Sequence, residues 1–115
     1  MDQEVIALCR ALNSIKGINT TGSCCGHGTE PLTVWMNADS VKYLSIFLWA
    51  GCHRHWDWKG WHLSLDVADP NRKEKARIHF VLTTEDKGEP AYARARELAD
   101  KIDAAVDSLQ QWWED

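Results

Sequence analysis

The sequence predicts an α+β fold, a two-layer sandwich in the order α-β-β-α-β-β-α with a four-stranded, mainly antiparallel sheet. Apolar residues recur at helical spacing in three segments of the chain, and they alternate with polar residues in four others. Turn-forming residues separate these segments, and the pattern α-β-β occurs twice. A chain of 115 residues is usually one domain, so we expect residues 1–115 to form a single domain.

The first two helices are predicted from their apolar patterns and from the glycines that follow them. Residues 2–16 carry an apolar stripe at helical spacing, and Gly17 follows in the place of a helix-ending residue. Residues 41–50, VKYLSIFLWA, are apolar nearly all round and end at Gly51. The second helix is therefore expected to be buried or to face a partner.

The third helix is predicted to begin at Pro90 and to run as far as Trp112 and Trp113. A helix of that length spans roughly 37 Å, which is more than a sheet of short strands needs. We expect the two indole rings to cover a second copy of the chain in a homodimer; the alternative is that they pack on the chain's own core.

Four segments have the alternation of half-buried strands: GINTTGS, LTVWMN, WHLSLDVAD and ARIHFVLT. In the second, Leu32, Val34 and Met36 alternate with Thr33, Trp35 and Asn37. Asp69-Pro70-Asn71 is predicted to form a turn between the third and fourth strands.

Charge and composition argue against a nucleic-acid-binding, an exported or a membrane-spanning protein. The formal net charge of −4 disfavours binding to RNA or DNA, although residues 72–79, RKEKARIH, carry a local basic patch that we expect to be a solvated turn. The chain shows no export signal and no long apolar run, so we expect a cytoplasmic protein without a membrane span. Its four cysteines are then expected to be reduced.

The predicted topology brings three loops to one end of the sheet. If the first strand runs upward, then residues 20–28, 51–60 and 83–90 all lie at the top. This interpretation requires the second helix to run upward as well. Thiols, imidazoles and indole rings that are distant in the sequence would then meet at one site.

The first hypothesis for this site is a binding site for an anionic, nucleotide-like molecule. Glycines in TTGSCCGHG let backbone N–H groups approach an anion, and nearby indole rings offer stacking surfaces. The predicted ligand-binding residues are Ser23, Cys24, Cys25, Gly26, His27, Gly28, Arg54, His55, Trp56 and Trp58.

Two alternative chemistries use the same residues. Cys24-x-x-His27 and Cys52-x-x-His55 share one spacing and would supply two thiolates and two imidazoles to a tetrahedral zinc ion, in a zinc-stabilised interaction protein. Cys24 beside glycine N–H groups, with His27 as a base, has the parts of a thiol-based transferase.

TTGSCCGH also resembles the TTSSCSGR motif of the methyltransferase family that catalyses the third enzymatic step of tRNA wybutosine synthesis. The longer segment ALNSIKGINTTGSCCGHGTEP is similar to small bacterial and phage proteins with an SCCGHG loop. The first resemblance implies a tRNA-directed, S-adenosylmethionine-dependent methyltransferase with Ser23, Cys24, Gly26 and His27 at the matching positions. His27 stands where that motif has arginine, and Cys25 stands where it has serine.

Our leading expectation is a ligand-binding protein, of the kind a phage encodes to sequester a small molecule. An enzyme, either a methyltransferase or a thiol-based transferase, is the alternative.

Overall fold

The structure is a computed structural model that describes residues 3–52, 56–66 and 77–113. The elements are helices α1 (Gln3–Asn13), α2 (Val41–Cys52) and α3 (Glu89–Trp113), strands β1 (Ile18–Cys24), β2 (Pro31–Ala38), β3 (Trp61–Leu65) and β4 (Ile78–Lys87), and a single 3-10 turn at Gly26–Gly28. The predicted order of helices and strands is confirmed. The predicted turn at Asp69-Pro70-Asn71 and the basic residues 72–76 lie outside the described residues.

The four strands form one sheet in the order β1-β2-β4-β3, and every neighbouring pair is antiparallel. The predicted fold class is therefore confirmed. The register between β1 and β2 shifts between Thr20 and Gly22, where the ladder has a bulge. Beyond this bulge, Gly22 lies opposite Trp35, and Cys24 lies opposite Thr33.

One face of the sheet holds the core. Val34 pairs with Leu82 and Met36 pairs with Phe80, and all four side chains are almost completely buried. The apolar stripes of the helices pack on this inner face, including Leu8 of α1, which is fully buried. Each large apolar side chain buried in this way stabilises the fold by roughly 1.5 to 3 kcal/mol.

Helices α1 and α3 lie side by side on the inner face, where Glu4 and Arg96 form an ion pair of 3.6 Å.

Helix α3 begins immediately after Gly88, whose backbone lies against Gly28 in the loop between β1 and β2. We call this end of the sheet the loop end and the opposite end the far end. Because α3 runs for roughly 37 Å, Trp112 lies at the far end.

Helix α2 begins at the far end and packs across the core. Its first turn places Tyr43 against Gly17, which precedes β1, and near its last turn the Trp49 ring lies 5.0 Å from the Trp112 ring. Phe47 is fully buried against Phe80, which holds α2 across the core. The direction of α2 toward the loop end stays a prediction. The segment after α2 reaches the loop end, where the Glu85 N–H donates to the Gly60 carbonyl.

Gly51 lets two indole rings pack directly on the backbone of α2. A Cβ atom at this position would clash with the Nε1 atoms of Trp56 and Trp58. Both Nε1 atoms are buried and have no hydrogen-bond partner among the described residues. No helix within the described ranges is both long enough and apolar enough to span a membrane.

We predict that Gly51→Ala destabilises the protein by about 1 to 3 kcal/mol, because the added methyl group overpacks the contact with both indole rings. Alanine is normally the better helix former, so a loss of stability would identify the packing effect. Chemical denaturation measures the free energy of unfolding. The control is Gly22→Ala, whose Cβ would meet only Trp35, at 3.7 Å, and which should change stability little. Equal stability of the two variants would contradict this packing.

Candidate functional site

The loop between β1 and β2 has an unusual backbone conformation. Gly26, His27 and Gly28 have φ values of 80°, 52° and 79°, three consecutive left-handed residues. The Gly26 carbonyl accepts hydrogen bonds from the N–H groups of Thr29 and Glu30, each 3.0 Å long, which close the loop. His27 is the only residue other than glycine with a positive φ in the described part of the chain. Holding a histidine in this conformation costs roughly 1 to 2 kcal/mol.

The N–H groups of this loop donate to the chain's own sulfur atoms. Gly26 N–H donates to Cys24 Sγ, and His27 N–H donates to Cys25 Sγ, each at 3.4 Å. The nearest imidazole nitrogen, His27 Nδ1, lies 3.8 Å from Cys25 Sγ. The sequence predicted that the N–H groups of this loop would bind an external anion. In the structure, two of them donate to cysteine sulfur atoms of the chain itself. The sequence predicted that His27 would act on Cys24, but in the structure its imidazole lies beside Cys25.

The three residues before Gly26 point in different directions. Ser23 lies opposite Val34 on the inner face and shares a hydrogen bond with Cys9, so it does not face the loop's open side. Burial raises the pKa of Cys9 above its usual value, against the smaller lowering effect of that hydrogen bond. Cys24 lies on the outer face of the sheet, and Cys25 packs against the core.

The predicted stacking residues Trp56 and Trp58 belong to the helix layer. Trp56 is 3 % exposed, and its ring lies 5.9 Å from that of Phe47. Trp58 is partly buried and meets the same phenylalanine edge to face at 5.2 Å. Trp56 is therefore a core residue and offers no open ring face to a ligand. Arg54 and His55, predicted with them, lie outside the described residues.

Three of the four predicted zinc ligands, Cys24, His27 and Cys52, are among the described residues, and these three do not form a metal-binding group. Cys52 is the last residue of α2, in the helix layer, whereas Cys24 ends β1 and His27 lies in the loop after it. His55 lies outside the described residues. Among the residues that the structure describes, no group of three or more His, Cys, Asp or Glu side chains could hold a metal ion. The four-ligand site, which includes His55, stays a prediction.

The outer face of the sheet is a candidate surface that the site prediction missed. It carries the polar half of each strand's alternation, and none of the three helices that the structure describes covers it. The rows across the four strands are Cys24, Thr33, Thr83 and His62; then Gly22, Trp35, Val81 and Ser64; then Asn19, Asn37 and His79. The signal was present in the sequence, because the residues between the inward-facing ones must point outward.

A groove of about 720 Å³ lies on this face, and we call it the outer groove. It is lined by Thr21, Gly22, Trp35, Asn37, Asp66, Arg77 and His79. Trp35 is 39 % exposed although it lies in the middle of the sheet. Gly22, its partner on β1, has no side chain to cover the indole, and this absence forms the depression beside the ring.

Polar contacts hold Arg77 at one end of the outer groove. Arg77 Nε lies 3.4 Å from Asp39 Oδ1, and that carboxylate also accepts a hydrogen bond from Asn19 Nδ2 at 2.9 Å. The same Asn19 amide donates to Asn37 Oδ1 at 2.9 Å. The guanidinium group of Arg77 is thereby held at the edge of the groove. At the opposite end of the outer face, His62 Nε2 lies 3.3 Å from Glu85 Oε1.

An apolar patch lies at the far end on the helix layer. Trp49 is 41 % exposed, Trp112 is 44 % exposed, and Ser45 and Ile46 complete a hollow with them. The Trp113 side chain is outside the described part of the chain. The homodimer predicted through Trp112 and Trp113 remains a prediction.

Comparison of the chain with known protein families, with curated proteins and with solved structures gives no match.

We predict that Gly26→Ala destabilises the protein more than Gly28→Ala does. Both glycines have left-handed backbones, so either alanine is strained by roughly 1 to 2 kcal/mol. A Cβ at Gly26 would additionally lie 3.0 Å from the Pro31 carbonyl oxygen, whereas a Cβ at Gly28 would meet nothing within 4 Å. Thermal and urea denaturation of the two variants test this difference. Equal losses would show that the contact between Gly26 and Pro31 does not constrain the loop.

Proposed function

We propose that this protein binds a small, planar, anionic, nucleotide-like molecule in the outer groove. The observation that carries the proposal is the exposed indole of Trp35 in the middle of an otherwise polar sheet face, beside the space left by Gly22. The ligand class is the one expected from the sequence. The stacking ring is Trp35, in place of Trp56 and Trp58.

Trp35 supports binding of a planar ring. Burying apolar area is favourable, and an exposed indole at the centre of a sheet leaves such area in contact with water. A flat ring stacked on the indole would bury it, and such stacking contributes roughly 1 to 3 kcal/mol per base in nucleic-acid complexes. Both cross-strand neighbours of the indole are smaller than it is: Gly22 has no side chain, and Val81 has a short one.

Arg77 supports an anionic group on the ligand. It lines the groove four residues along the chain from Val81, the partner of Trp35, which corresponds to roughly 13 Å of extended chain. Because the side chains of Trp35 and Arg77 line the same groove, one ligand that carries both a ring and an anionic group would contact both residues. Asp66 and Asn37, which also line the groove, have oxygen atoms that can accept hydrogen bonds from a sugar or an amino group.

The test is calorimetric titration with AMP, GMP, CMP and UMP, with adenosine and inorganic phosphate as partial ligands. We expect at least one nucleotide to bind, and Trp35→Leu to weaken that binding about tenfold or more. The matched control is Trp49→Leu, which removes an indole of similar exposure, 41 % against 39 %, on the helix side.

Gly22→Leu provides a second variant that does not remove the indole. The backbone at Gly22 is not left-handed, and a Cβ there would meet Trp35 only at ordinary contact distance, so the fold should be retained while the groove is filled. Binding that survives both Trp35→Leu and Gly22→Leu, or the absence of binding by all four nucleotides at millimolar concentration, would refute the proposal.

A second candidate function is thiol chemistry at the loop, and one observation favours it. Cys25 Sγ accepts an N–H hydrogen bond and has an imidazole nitrogen at 3.8 Å, which are the partners that a nucleophilic thiolate needs. A thiol-based transferase would use Cys25 as the nucleophile and His27 as the base. Methyl transfer to tRNA, implied by the motif resemblance, remains a prediction.

Iodoacetamide labelling followed by mass spectrometry tests the thiol candidate. The Cys25 sulfur would displace iodide, and its proton would pass to His27 and then to solvent. We expect Cys25 to react faster than the exposed Cys52, and Cys9 to react slowest, because burial raises the pKa of Cys9. Asparagine tolerates a left-handed backbone, so His27→Asn should slow Cys25 with little strain.

The control for His27→Asn is His62→Asn, which removes an exposed imidazole elsewhere on the protein. If Cys52 reacts first, or if His27→Asn leaves the rate at Cys25 unchanged, the loop is not a reactive-thiol site.

A further inference from the structure

Strand β3 forms one edge of the described sheet, where its only neighbour is β4. Just beyond the strand, the Asp66 N–H donates to the His79 carbonyl of β4 at 2.9 Å. The bonds of an antiparallel ladder involve every second residue, so the N–H and C=O groups of Leu63 and Leu65 point away from β4. Neither residue makes a hydrogen bond on that side to another described residue. Within the described structure, the edge is therefore open at these two positions.

The opposite edge of the sheet, β1, is protected. The Thr20 N–H donates to Asn13 Oδ1 at 2.8 Å, and Asn13 Nδ2 donates to Thr20 Oγ1 at 2.9 Å. The bulge between Thr20 and Gly22 interrupts the strand next to this contact. Bulges and covering groups keep an edge strand from pairing with another chain. Strand β3, with the sequence WHLSL, contains no bulge, proline or lysine.

Leu65 adds an apolar surface to the open edge. It lies opposite Phe80, whose side chain is fully buried on the inner face, yet Leu65 itself is 74 % exposed. Of the large apolar side chains in the described structure, it is the most exposed. The described helices therefore do not cover this end of β3, and contact with another apolar side chain would be favourable.

The sequence of β3 is complementary to itself in one antiparallel register. A twofold axis between the Ser64 residues of two copies pairs Leu63 with the partner's Leu65 on the inner side. The same axis pairs His62 with the partner's Asp66 on the outer face. Because Leu63 and Leu65 carry the backbone groups that face the edge, each of these leucine pairs exchanges two hydrogen bonds.

The pairing of His62 with Asp66 distinguishes this register from its neighbours. Twofold registers centred on Leu63 or on Leu65 place no carboxylate opposite His62. In each copy, His62 Nε2 lies 3.3 Å from Glu85 Oε1. A protonated imidazole donates from both ring nitrogens, so it can bind Glu85 within the chain and the partner's Asp66 together. Opposite charges that face each other across two strands stabilise the strand pair.

We propose that β3 pairs with β3 of a second copy of this chain, in an antiparallel register centred on Ser64. The two four-stranded sheets then form one continuous sheet. A second copy is the partner because β3 itself supplies the complementary leucines and the complementary charge. This interface uses none of the residues of the apolar patch at Trp49 and Trp112, and it does not depend on what the outer groove binds.

Analytical ultracentrifugation of the full chain tests the proposal. It is done from about 10 µM to about 1 mM protein, because an interface of two short strands lies at the small, transient end of the size range. We expect a concentration-dependent equilibrium of monomer and dimer. Leu65→Lys should raise the dimer dissociation constant about tenfold or more, since lysine on an edge strand opposes pairing. The matched control is Val41→Lys, which changes another exposed aliphatic side chain, 66 % against 74 %, and should leave the dimer unchanged.

Cross-linking tests the register. The axis places the two Ser64 residues in a pair without hydrogen bonds, with Cα atoms about 4.5 Å apart, a distance that a disulfide can bridge. Oxidised glutathione should therefore link two copies of Ser64→Cys, and mass spectrometry of unreduced peptides identifies the bridge. The control is Thr21→Cys, at an exposed position on the opposite edge strand, which should dimerise no faster than the wild type with its exposed Cys52.

A monomer at the highest concentration would overturn the proposal, as would a dimer that Leu65→Lys leaves unchanged. A dimer lost in Trp112→Ser but retained in Leu65→Lys would assign the contact to the apolar patch instead. Cross-linking of Ser64→Cys no faster than Thr21→Cys would contradict the register. Leu65 does not line the outer groove, so Leu65→Lys should bind nucleotides as the wild type does, and failure of either proposal leaves the other standing.

Discussion

The antiparallel register of β2 between β1 and β4 is the constraint on which the rest of the structure depends. It places Val34 beside Leu82 and Met36 beside Phe80, and by the same alternation it places Trp35 beside Gly22 and Val81. Shifting β2 by one residue would exchange the two faces, bringing Trp35 and Asn37 into the core and exposing Val34 and Met36. The pairing of β2 with β1 and β4 therefore determines both which side chains form the core and which side chains form the outer groove.

The β1–β2 loop shows how backbone conformation and side-chain chemistry are linked. Left-handed residues turn the N–H groups of Gly26 and His27 back toward the two preceding cysteines. A donor that already has a sulfur partner is less available to an external anion, because a new bond must replace an existing one. The same glycines that suggested an anion site therefore favour a role in orienting Cys24 and Cys25. The left-handed conformation at His27 is the local cost of that arrangement.

Much of the fold could be predicted from the sequence because local periodicity determines it. The alternation in LTVWMN correctly separates Val34 from Trp35, whereas the first helix ends at Asn13, earlier than the glycine at position 17 had indicated. The packing of α2 could not be predicted, because a helix that is apolar nearly all round has no single face that indicates its orientation. Contacts distant in the sequence decide it, chiefly Phe47 with Phe80 and Trp49 with Trp112. Cys52, which was predicted beside Cys24, ends α2 and forms no metal-binding group with Cys24 and His27.

The tryptophans show why residue type alone does not identify a binding site. Trp35 and Trp56 have the same ring and the same capacity to stack, but Gly22 leaves the first open on the sheet while Gly51 lets the second pack onto a helix. A glycine opposite an aromatic residue creates space in one case and permits close contact in the other. The difference lies in what covers the ring from the other side: α2 covers Trp56, and nothing in the described structure covers the outer face at Trp35. The spacing of tryptophans in the sequence does not show which rings are covered. The sheet register does show it for Trp35, because it places that ring on the outer face beside Gly22.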